Sequence, residues 1–279
     1  MTPSTLESDA VRYRQSEPEQ LRTADLVRLL PAGSANALDV GARDGHFSRV
    51  LTEHATHVTA LDLDKPQISH PQIECVKGDI TELAFARDSF DLVVCTEVLE
   101  HVPPQLLERA CSELARVSRG HVLVGVPYKQ DIRVGRTTCL TCGAYNPPWG
   151  HINVFDEARL AALFEGLVAE QISYVGRNSA STNFVSSVMM DLAGNPYGTY
   201  EQEEPCIRCG ARLSRPARRS IAQKVFSKCG FWAASLTQPF HRAHPYWIHL
   251  LLSKKSVTVS AGPGDLSKLR PAWAERAKT

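Results

Sequence analysis

The chain has 279 residues, 43% hydrophobic and 22% charged, with a formal net charge of +1 at pH 7. These proportions exclude a disordered chain, which needs low hydrophobicity and high net charge, and they exclude a collagen-like or low-complexity fibre. No apolar run approaches the roughly 20 residues of a transmembrane segment. The first residues, MTPSTLESDA, lack the basic start and apolar stretch of a secretory signal, so a cytoplasmic location is expected.

In chain order, residues 8–30 read as a helix with Leu21, Leu26, Leu29 and Leu30 on its apolar side, stopped by Pro31 and Gly33. An αβ alternation follows. Ala37–Val40 is a short apolar run that ends in a glycine turn, and Phe47, Val50 and Leu51 then recur at helical spacing. His57–Leu61, Ile73–Val76 and Phe90–Cys95 read as the next three strands. Pro103 and Pro104 open a helix with Leu106, Ala110, Leu114 and Val117 as its stripe. His121–Val126 is a fifth strand, Asp156–Leu167 a helix, Gln171–Val175 a sixth strand and Tyr246–Leu252 a seventh. Strands alternating with helices predict an α/β fold with a doubly wound, seven-stranded, mainly parallel sheet.

Two counts stand apart from this pattern. Four of the eight cysteines form twin motifs, Cys139-Leu-Thr-Cys142-Gly-Ala and Cys206-Ile-Arg-Cys209-Gly-Ala. Two CxxCG knuckles supply the four sulfurs of a structural Zn2+ site, and the 63 residues between them would be stapled by the ion. Two disulfides are disfavoured without a secretory signal, and a redox pair would need no twin. The second count is charge. Between Pro205 and Gly264 there is no Asp or Glu but ten basic residues, so the remaining 21 basic and 30 acidic residues leave −9 elsewhere. A helix over Arg215–Phe226, with Ile221, Val225 and Phe226 on one side, would make this stretch amphipathic. It reads as a surface for an anionic acceptor or a membrane surface, or as a solvated basic face whose apolar side packs inward.

In open α/β sheets ligands bind outside the carboxyl ends of the strands, so chemistry is expected after the first, second and fourth. The first ends in Asp39-Val-Gly41-Ala-Arg43-Asp-Gly45, a turn that lacks the dinucleotide GxGxxG and the phosphate-loop GK[ST]. The second ends at Asp62, suited to a ribose diol; Asp79 closes the third; the fourth runs into Thr96-Glu97-Val-Leu-Glu100-His101. Glu97, Glu100 and His101 are spaced i, i+3, i+4 and would share one side of a helix start.

Together, DVGARDG, the acid closing strand two, GD after strand three and FDLVVCTEVLEHVPP resemble the class I S-adenosylmethionine-dependent methyltransferases, nearest the type 11 group that includes ubiquinone-pathway O-methyltransferases. The resemblance covers residues 35–176 and the last strand. It implies a Rossmann-like methyltransferase sheet, on which the two knuckles would form a zinc-binding insertion or cap. It also implies that Asp39, Gly41, Arg43 and Gly45 hold the methionine part of the cofactor. Asp62 and Leu63 would take the ribose, Asp79 and Ile80 the adenine, and Thr96 and Glu97 would border the sulfonium. Arg43 stands where the family usually has glycine. For O-methylation, His101 and His151 are the candidate bases beside Glu97. Glu97, Glu100, His101 and His151 also resemble the divalent-metal set of some ubiquinone O-methyltransferases and of small-RNA 2′-O-methyltransferases, with a plain cofactor-edge role as the alternative.

The expected organisation is an N-terminal helical segment (1–34), a core with the first knuckle (35–177), a cap insertion with the second knuckle (178–244), a last strand (245–255) and a flexible tail (256–279). The expected function is methyl transfer from S-adenosylmethionine to a hydroxyl of a sugar or other small, possibly anionic, metabolite. The alternatives are an RNA methyltransferase, less favoured because aromatic and basic residues are not interleaved on a sheet platform, and a non-catalytic binding module. The sequence is silent on the oligomeric state.

Overall fold

The structure, a computed structural model, describes residue 12 and residues 14–254. The expected tail over 256–279 and the start of the first expected helix lie outside the described residues. The chain divides into two compact units: residues 1–128, 156–176 and 245–279 form the first, and residues 129–155 and 177–244 the second. Residues 129–155, with the first knuckle, thus group with the insertion and not with the core.

The first unit opens with α1 (Glu17–Leu29), ended before Pro31. Then come β1 (Ser34–Val40), α2 (His46–Leu51), β2 (Ala55–Asp62), β3 (Ile73–Lys77) and β4 (Phe90–Thr96). They are followed by α3 (Leu107–Val117), β5 (Ser118–Pro127), α4 (Glu157–Ala162), β8 (Leu167–Val175) and β9 (Trp247–Lys254). The seven strands lie in the order β3-β2-β1-β4-β5-β9-β8. All neighbours are parallel up to β5, and β9 runs antiparallel to both β5 and β8. All seven expected strands are present. They read as apolar runs because helices cover both faces of a parallel sheet, so both sides of a central strand are buried; β1 ends in four consecutive buried residues. α3 buries Leu107, Ala110, Cys111, Leu114 and Val117, one face at helical spacing.

One polar network crosses this core. His249 of β9 is wholly buried and shares a proton with Asp25 of α1 (Nδ1 to Oδ2, 2.7 Å). Ser173 Oγ of β8 (2.8 Å) and Arg28 Nη2 (2.8 Å) donate to the other Asp25 oxygen. Burial pushes the Asp25 carboxyl up, but these donors outweigh it and hold it at about 2.

Helix α4 ends at Ala162 and not at the expected Leu167, because Gly166 turns the chain and Leu167 already pairs with Lys254 in the sheet. In the second unit, β6 (Thr137–Thr138) and β7 (Tyr145–Asn146) form a hairpin. α5 (Phe184–Leu192) packs on α6 (Ile221–Thr237). α6 begins six residues later than the expected Arg215, where the Ser220 hydroxyl accepts from the Gln223 amide while the Gln223 side chain accepts from the Ser220 amide.

Candidate functional site

The parallel sheet reverses its strand order at β1, which has β2 on one side and β4 on the other. Their carboxyl ends are level: Val40 pairs with Leu61 and with Cys95. This is the crevice where open α/β sheets bind ligands. After β1 the amides of Gly41 and Ala42 donate to the Leu61 carbonyl (2.8 and 3.1 Å), tying the turn to β2. Gly41 has φ 81°, and a Cβ there would lie 2.2 Å from Val98 Cγ2. Asp62 is gripped from both sides, by the Arg43 amide (2.8 Å to Oδ2) and by the Leu63 amide (2.7 Å to Oδ1). A cleft of about 340 Å³ opens here, with Arg43, Asp44, Asp62, Asp64 and Lys65 among its walls. Asp39 is buried and accepts from Ser48 Oγ of α2 (2.6 Å). Burial first, then the charges of Asp62 and Asp44, push its carboxyl up to about 6. Asp79 folds back on its own turn, accepting from the amide and hydroxyl of Thr81 (both 2.8 Å), and Ile80 is buried beside it.

Beyond Thr96 at the end of β4, residues 97–102 form a turn and not the expected helix start. Glu97 adopts φ 57° and donates its amide to the Gly125 carbonyl (2.9 Å), while the His101 and Val102 amides close onto Val98 and Leu99. Helical structure begins only after Pro103 fixes an extended residue. Glu97 Oε2 accepts from Trp247 Nε1 (3.1 Å), and its Oε1 is buried without a hydrogen-bond partner. Glu100 is wholly buried, and neither of its carboxyl oxygens has a partner. Burial pushes both carboxyls up, Glu100 well above the carboxylate range with the help of the nearby Glu97 charge. His101 is pushed down to about 4, by burial and then by the Arg43 charge. The edge therefore concentrates carboxyls that burial pushes above their ordinary range. An arriving cation would favour their ionised form, so this chemistry suits a positively charged ligand.

The second unit holds the two knuckles, and they are built alike. The Gly143 amide donates to the Cys139 carbonyl and the Cys139 amide to the Ala144 carbonyl, and the Gly210 amide donates to the Cys206 carbonyl and the Cys206 amide to the Ala211 carbonyl, all four bonds measuring 2.9 Å. Cys139 Sγ and Cys209 Sγ are 3.7 Å apart, as are Cys142 Sγ and Cys206 Sγ, and all four sulfurs lie within 4.8 Å of one another. A disulfide would put them at about 2.05 Å. A tetrahedral ion with metal–sulfur bonds of about 2.3 Å puts them about 3.8 Å apart, close to the 3.7 Å of the two pairs that cross between the knuckles. Asn146, buried, clamps the two knuckles: its Oδ1 accepts from the Ile207 amide (2.9 Å) and its Nδ2 donates to the Ala144 carbonyl (3.0 Å). Sequence reasoning missed this residue; its only signal is an asparagine two positions beyond the CGA of the first motif.

His151 also lies in the second unit, buried, with Nδ1 2.6 Å from Gln130 Oε1. A half-open cleft of about 220 Å³ in the same unit is lined by Arg133, Arg136, Ser186, Asn195, Tyr197 and Phe231. None of these six was expected from the sequence to line a cleft. Both guanidiniums are answered, Arg133 by Asp131 (2.8 Å) and Arg136 by Asp191 (2.7 Å), so the cleft is polar without being strongly cationic.

Residues 38–124 match the family model described as a methyltransferase domain. A ubiquinone biosynthesis O-methyltransferase of Xanthomonas axonopodis pv. citri is 37% identical over 101 residues, which are 32% of this chain and 42% of that one. A probable S-adenosylmethionine-dependent methyltransferase of Mycobacterium tuberculosis is 31% identical over 119 residues, 40% of this chain and 43% of that one. The matched stretch thus spans less than half the length of either relative. Among solved structures, the 1,6-didemethyltoxoflavin-N1-methyltransferase of Burkholderia thailandensis superposes with a TM-score of 0.50 at 15% identity, covering 91% of this chain and 88% of that one, which is a likeness of fold.

Proposed function

We propose that the chain is a class I S-adenosylmethionine-dependent methyltransferase, a reading supported by the methyltransferase-domain match over residues 38–124, and that it transfers the methyl group of S-adenosylmethionine to a hydroxyl of a sugar or similar small metabolite. The observation that carries this reading is the paired turn at the ends of β1 and β2, where the Arg43 and Leu63 amides hold the Asp62 carboxylate at the mouth of the cleft. When bound, the cofactor supplies an electrophilic methyl on a sulfonium. The residues around it position and polarise. Asp39, Gly41, Arg43 and Gly45 take the methionine end, Asp62 and Leu63 the ribose, Asp79 and Ile80 the adenine edge, and Thr96 and Glu97 the sulfonium side.

Methyl transfer is an in-line displacement, so the acceptor oxygen must be held in near-attack geometry and lose its proton. His151 fits the base. Its Nδ1–H donates to Gln130 Oε1, which fixes the tautomer and the ring orientation. His101, held near 4, is neutral at physiological pH and a weak base. The four cysteines would hold a structural Zn2+ that orders residues 129–155 against 200–213. Glu97, Glu100 and His101 are the first unit's share of the divalent set that the resemblance implies; the orphaned Glu100 oxygens fit a cation there.

The test is radiolabelled methyl transfer from S-adenosylmethionine to a panel of sugars, nucleotide-sugars, phenols and RNA. Turnover on a sugar or small hydroxylated acceptor, with zinc in the same sample, is expected. Turnover on RNA alone, or none on any member, would refute the acceptor assignment.

A further inference from the structure

Beyond the methyl-transfer chemistry, helix α6 is built inside out. Its covered side holds small and polar residues: Ser227 and Gly230 are buried, and Ala233, Ala234 and Thr237 are half-covered. Gly230 allows close approach to α5, since a Cβ there would lie 3.0 Å from Met190 Cε. Asn183 of α5 donates to the Ala233 carbonyl (2.7 Å) and to Thr237 Oγ1 (3.0 Å). Phe226 is half-covered beside them, but most of the large apolar residues face the other way. Ile221 is 82% exposed, Val225 51%, Trp232 76% and Leu236 73%, with Phe240 at 82% just beyond the helix end. At about 100° per residue, Ile221, Val225, Trp232 and Leu236 fall within about 60° of arc, opposite the buried seam. Helix α5 repeats the pattern, burying Ser186 and Ser187 and exposing Phe184, Val185 and Leu192.

Scattered exposed apolar residues need no explanation, but a contiguous stripe of them does. Lys224 and Lys228 border the stripe, Arg218 and Arg219 precede it and Arg242 follows it. No Asp or Glu occurs anywhere between Pro205 and Gly264. We propose that the outer face of α6 is an interfacial helix that docks the protein on an anionic lipid surface. A Trp/Leu/Ile stripe would enter the acyl boundary and the flanking lysines would meet lipid phosphates. Charge selects this occupant over a second copy of the chain. A symmetric contact through the same face would bring Lys224 and Lys228 toward their own images, with no acid in the segment to answer them. No helix among the described residues is long and apolar enough to cross a membrane, so the association is peripheral.

The experiment is co-sedimentation of the full chain with vesicles of phosphatidylcholine alone and of phosphatidylcholine with 30 mol% (about a third) phosphatidylglycerol, across a salt series. Binding to the anionic vesicles that weakens with salt is expected. Trp232→Ser with Leu236→Ser should lower the partition coefficient roughly tenfold or more, and Lys224→Gln with Lys228→Gln about fivefold per lysine. Zinc content and thermal unfolding of the variants report on folding, and the salt dependence of the unaltered protein stands without any variant. Absence of vesicle binding, binding that ignores lipid charge, or equal binding by both folded variants would overturn the proposal. So would a concentration-dependent dimer, dissolved by Trp232→Ser, in protein that ignores vesicles.

Discussion

Replacing Gly41 by alanine tests how the turn after β1 is coupled to the turn after β4. At φ 81° an L-residue bears strain of roughly 1–2 kcal/mol. The new Cβ would stand 2.2 Å from Val98 Cγ2, against an ordinary contact of about 3.5–4.0 Å, so Val98 and the 97–102 turn must shift. Overpacking of this kind costs about 1–3 kcal/mol. The sum, about 2–5 kcal/mol, should lower the melting temperature by about 4–20 °C. S-adenosylhomocysteine, measured by calorimetry, should bind correspondingly more weakly, because the displaced turn carries Glu97. In a Val98→Ala background the colliding methyl is gone, so only the backbone part should remain, a coupling of about 1–3 kcal/mol in the double-mutant cycle. Unchanged melting and affinity in Gly41→Ala, or a cycle without coupling, would refute this reasoning.

Cys139→Ser and Cys206→Ser should each reduce the zinc measured by plasma mass spectrometry from one ion per chain to none and lower the melting temperature; a zinc-free wild-type protein of normal stability would dismiss the site. Asp25→Asn should cost about 1–2 kcal/mol, since the carboxyl lies near 2 when folded against an ordinary 3.8 and its partner Arg28 is partly in water. Because the folded value is depressed, the difference from wild type in denaturant titrations should be full above about pH 4 and vanish as pH falls toward 2. Glu100 behaves oppositely. Its raised carboxyl stabilises the fold below its ordinary value of 4.5, and that contribution is lost as pH rises. Glu100→Gln should therefore match wild type at pH 4 and exceed it at pH 8. Cofactor binding near pH 6 should release protons from Asp39, read as a dependence of binding heat on buffer ionisation; a buffer-independent heat would remove Asp39 from the cationic site.

The seven strands were legible because a doubly covered parallel sheet writes itself as short apolar runs, and the knuckles because CxxCG followed by Ala occurs twice. Local signals failed where a distant partner decided the matter. Leu167 continues the apolar spacing of α4, but Lys254, 87 positions away by subtraction, claims it for the sheet. Glu97, Glu100 and His101 have helical spacing, yet the amide of Glu97 is taken by Gly125 of β5 and the backbone turns. The Asp25–His249 bond spans 224 residues and has no local trace. The amphipathic pattern of α6 was visible from Ile221, Val225 and Phe226, but a pattern does not say which side faces in. Gly230 and Ser227, small enough to meet α5 closely, turned the helix so that Ile221 and Val225 point outward while Phe226 is half-covered.

The most direct measurement is calorimetric titration of the protein with S-adenosylhomocysteine, alongside Asp62→Ala. One molecule bound per chain, weakened roughly tenfold or more when the carboxylate held by the Arg43 and Leu63 amides is removed, is the expected result. No binding, or binding indifferent to Asp62, would contradict the assignment of this sheet edge as a methyl-donor site.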